Sequence, residues 1–66
     1  MEAKLKAAYQ EFQGRFTVYA MPSCVIVREQ VGREVTDHGV FDTFKEANQL
    51  YEDMMWKFIV DKIQEG

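Results

Sequence analysis

The sequence predicts an α+β fold in the order α-β-β-β-α: a three-stranded antiparallel meander packed against a long C-terminal helix, with a short N-terminal helix alongside. Three patterns in the 66 residues carry that reading. Apolar residues recur at helical spacing near the N-terminus, period-two and β-branched stretches broken by turn residues follow, and an unbroken helical pattern fills the last third. No linker, repeat or low-complexity tract divides the chain, so residues 1–66 are read as a single small α+β domain with one core.

Residues 2–13 place Leu5, Ala8, Tyr9 and Phe12 at the i, i+3, i+4, i+7 positions of one helix face, and Gly14 reads as the C-terminal stop. From Arg15 to Met21 the period changes to two, with Phe16, Val18 and Ala20 on one side and Arg15, Thr17 and Tyr19 on the other. Pro22 and Ser23 form a tight turn, where the fixed φ of proline suits the second position. Cys24-Val25-Ile26-Val27-Arg28-Glu29 is a β-branched strand, ending at Gln30, whose first half is apolar on both faces, as for a central strand covered on each side. Val31-Gly32 supplies the next turn and Arg33–Thr36 leads into a third strand. Asp37-His38-Gly39 then breaks the alternation, and a bulge there is expected to aim both Val40 and Phe41 at the core.

Thr43 and Glu46 match the capping box, in which the threonine hydroxyl accepts from the third helical N–H and the glutamate reaches back to the cap. The helix that follows runs from Thr43 to about Gln64. At 100° per residue, Phe44, Ala47, Leu50, Tyr51, Met54 and Phe58 form one stripe that faces the sheet. Trp56, Ile59, Val60 and Ile63 form a second apolar face over the C-terminal half alone. Such a face needs a cover. The N-terminal helix can supply it from within the chain, a second copy can supply it as a homodimer, or a bound peptide or partner helix can do so.

A domain this small buries only about 60% of the surface its unfolded chain exposes, and self-association is the simplest supplement to so limited a core. Cys24 is the only cysteine, which excludes an internal disulfide. With no signal or transit peptide visible at Met1-Glu2-Ala3-Lys4, the expected location is cytoplasmic. The most apolar run, Met54–Val60, is short and contains Lys57, so no membrane span or membrane partner is expected.

The net charge of −3 divides unevenly: residues 1–33 hold five Lys/Arg and three Glu, for +2, and residues 34–66 hold three Lys and eight Asp/Glu, for −5.

No catalytic, cofactor or metal site is expected, and no small-molecule substrate is identified. His38 is the only histidine and falls in a turn, Cys24 has no CxxC partner, and Glu46, Glu52, Asp53 and Asp61 are scattered around the long helix rather than converging. Gly14, Gly32, Gly39 and Gly66 are too far apart for either GxGxxG or GxxxxGK.

A nucleic-acid surface is the alternative, with Arg15, Tyr19, Arg28 and Arg33 in the basic half and Arg15, Thr17 and Tyr19 sharing one sheet face. Gly39–Ala47 resembles the strand-to-helix passage of small modules built from a three-stranded sheet and a helix, some of which read DNA with the sheet. An acidic chain requires tight clustering of its basic residues to bind phosphates. The expectation is therefore a non-enzymatic protein–protein interaction or regulatory module that self-associates through Trp56, Ile59, Val60 and Ile63.

Overall fold

A computed structural model describes residues 2–65 and contains two helices and three strands: α1 Glu2–Arg15, β1 Phe16–Ala20, β2 Val25–Val31, β3 Glu34–Phe41 and α2 Phe44–Glu65. The expected α-β-β-β-α order is present, and the sheet is an antiparallel meander in the order β1-β2-β3. Both helices pack on one face of it.

Helix α1 does not stop at Gly14. It runs on to Arg15 and passes into β1 without a loop. A glycine stop works through positive φ, and Gly14 does not adopt it. Instead Arg15 Nη2 donates to Glu11 Oε1 at 2.8 Å, one turn back, and sets a cation at the negative end of the helix. Arg15 therefore belongs to α1 and not to the face of β1 where the alternation placed it.

The first hairpin closes as expected, with the Met21 N–H donating to the Cys24 carbonyl at 2.8 Å around Pro22-Ser23. In the second, Gly32 and Arg33 form the turn and Gly32 takes φ 61°, the positive φ that a type II′ turn needs at its first central residue. Arg33 thus sits in the turn rather than opening β3. Central strand β2 buries Val25 and Val27 beneath the helices, whereas Ile26 faces the other way and is only half-buried. The cover expected on both faces is present on one.

Pairing slips between Val27↔Gly39 and Arg28↔Asp37, so His38 is the extra residue of a bulge where the broken alternation predicted one. Alternation resumes beyond it, and neighbouring residues then point to opposite faces. Phe41 packs on the core while Val40 is 63% exposed on the outer face, which corrects the expectation that both turn inward.

Helix α2 starts where the capping residues place it, with the Glu46 N–H donating to Thr43 Oγ1 at 3.3 Å. Its first half covers the sheet: Ala47 is buried with Val25 and Val27, and Val18, Phe41, Leu50, Tyr51 and Met54 pack around them. Phe44, expected in this stripe, is exposed, because the first helical residue stands at the corner where the chain leaves β3 and burial begins one turn later at Ala47. The second half of α2 meets α1 through an aromatic cluster. Phe12 stacks on Phe16 with centroids 4.3 Å apart, meets Tyr51 edge-on at 5.0 Å and leans on Phe58 at 5.7 Å. Phe12 and Val27 are fully enclosed, and each contributes about 1.5–3 kcal/mol relative to exposure.

Candidate docking groove between the helices

Helix α1 lies against the C-terminal half of α2, held by Phe12 and by charges that bracket Phe58. The Arg15 guanidinium and the Lys62 ammonium each lie 5.6 Å from the Phe58 ring centroid, and Lys62 also reaches Glu11 Oε2 at 3.4 Å. Toward the N-terminus of α1 the two helices leave a groove between them. Its volume is about 530 Å³, and Leu5 and Tyr9 from α1 face Met55, Trp56 and Ile59 from α2, with Glu2 and Lys6 at the rim. The surface inside it is almost wholly apolar.

The four residues of the second apolar face are divided by this contact. Ile59 forms the floor at 4% exposure and Ile63 is half-buried, while Trp56 at 59% and Val60 at 45% face solvent. Helix α1 therefore covers part of that face and leaves the rest open. Leu5 and Tyr9, which helical spacing places on the face of α1 able to cover the second face of α2, line the groove, and Met55 joins them although the spacing did not assign it there. Leu5 and Tyr9 share the stripe of Ala8 and Phe12, but only the latter two are buried. The sequence signal for the open groove is a stripe longer than one crossing helix can cover.

Burial pushes the Tyr51 hydroxyl above its ordinary value, with the Tyr9 hydroxyl nearby adding to the effect.

The four residues proposed for nucleic acid are not brought together. Tyr19 and Arg28 meet on the outer sheet face, with the guanidinium 5.1 Å from the ring centroid. Arg15 is on α1, paired with Glu11, and Arg33 is in the second hairpin turn. Arg28 is engaged by Asp37 through Nε–Oδ1 at 2.6 Å and Nη2–Oδ2 at 3.3 Å. Hydrogen bonding to Arg28 holds the Asp37 carboxyl below its ordinary range, and the same bond raises the guanidinium.

His38 Nε2 lies 2.7 Å from Glu29 Oε1 and its ring is 5.8 Å from that of Phe16, so the bulge joins a polar pair to the edge of the aromatic cluster. Cys24 is a free thiol, half-buried at the end of the first turn. Among the described residues, no three His, Cys, Asp or Glu side chains are placed to hold a metal ion, and no helix is long and apolar enough to cross a membrane.

No family model, curated protein or solved structure matches this chain.

Proposed function

We propose that the chain is a small, non-enzymatic protein–protein interaction or regulatory module that self-associates through the groove face of α1 and α2. The observation that carries this reading is the apolar groove lined by Leu5, Tyr9, Met55 and Trp56 over the buried floor at Ile59. Isolated exposed apolar residues are normal on a monomer, but a concave patch built from two helices and walled by tryptophan and tyrosine marks an interaction surface. Tryptophan and tyrosine dominate binding energy where they are enclosed at the centre of an interface. The modest core gives the same face a second purpose, because covering it extends the buried apolar surface beyond what one chain encloses.

The test is the mass in solution, by light scattering on a size-exclusion column over a wide concentration range. A mass of twice 7.8 kDa that falls toward 7.8 kDa on dilution is expected, with Leu5→Glu shifting the transition to higher concentration. A mass of 7.8 kDa at every concentration overturns self-association.

A further inference from the structure

We draw no further inference here: the strongest candidate, the apolar groove between α1 and the C-terminal half of α2 walled by Leu5, Tyr9, Met55 and Trp56, belongs to the site already described, and nothing in the structure shows what covers it.

Discussion

The two faces of the molecule expose similar kinds of residue and differ in how they are arranged. On the outer face of the sheet, Tyr19, Ile26 and Val40 are cross-strand neighbours, but the Arg28–Asp37 pair lies beside them and the Arg28 guanidinium covers the Tyr19 ring. On the helical side, Leu5, Tyr9, Met55 and Trp56 line a continuous hollow with charge only at its rim. The sheet satisfies its exposed groups locally, whereas the groove leaves apolar walls facing one another across open space. Exposure alone therefore does not distinguish a binding surface, as Val40 is more exposed than Trp56. Concavity and the absence of an internal polar partner do.

The largest expected effect comes from breaking the groove at its floor. Ile59→Asp places a carboxylate where the native side chain is 4% exposed, and a loss of about 3–5 kcal/mol in urea unfolding is expected. A folded, fully stable Ile59→Asp chain would show that α1 does not seal that floor. Spacing puts Trp56, Ile59, Val60 and Ile63 on one face, and burial separates Ile59 from the exposed Trp56 and Val60.

Next in size is Trp56→Ala, which should weaken assembly severely while changing the unfolding free energy of the monomer by less than about 1 kcal/mol. Comparable losses in both measurements would make Trp56 a core residue. Gly39→Ala sharpens the contrast from the sheet side, because a Cβ at Gly39 would lie 2.6 Å from the Phe41 ring and 3.0 Å from Leu50. Overpacking of this kind costs about 1–3 kcal/mol, seen as a lower urea midpoint, and the groove's assembly should be unaffected.

The smallest effect belongs to the ion pair of the outer face. Asp37 has a lowered carboxyl value in the folded chain, so its contribution is present above the ordinary carboxylate value and is lost as pH falls through the folded one. Relative to Asp37→Asn, the parent should lose stability in that acid window and not near neutrality, as measured by urea midpoints across pH. A mobility shift with single-stranded DNA at low salt that disappears on Arg28→Ala would return the nucleic-acid reading to this face, and none is expected while Asp37 engages the guanidinium.

The sequence made legible those features that depend on near neighbours. Thr43 and Glu46 marked the start of α2, Pro22 marked a turn, and the broken alternation at Asp37-His38-Gly39 marked the bulge. Features that depend on a distant partner were hidden. Arg28 meets Asp37 only because the bulge resets the register by one residue, and spacing along either strand does not contain that information. The groove was half legible: helical period identified the second face of α2, but the path of α1 over it decides that Ile59 is covered and Trp56 is not. Gly14 misled because the chain continues in a helix up to the first residue of a strand and needs no left-handed stop.

That loopless passage from Arg15 to Phe16 makes α1 and β1 a single lever with no slack between its arms. Phe12 and Phe16, stacked across the junction at 4.3 Å, brace it from within the core. An edge strand that ordinarily frays by itself is tied here to the helix forming one wall of the groove. Filling the groove should consequently slow amide exchange in β1, an element the occupant never touches.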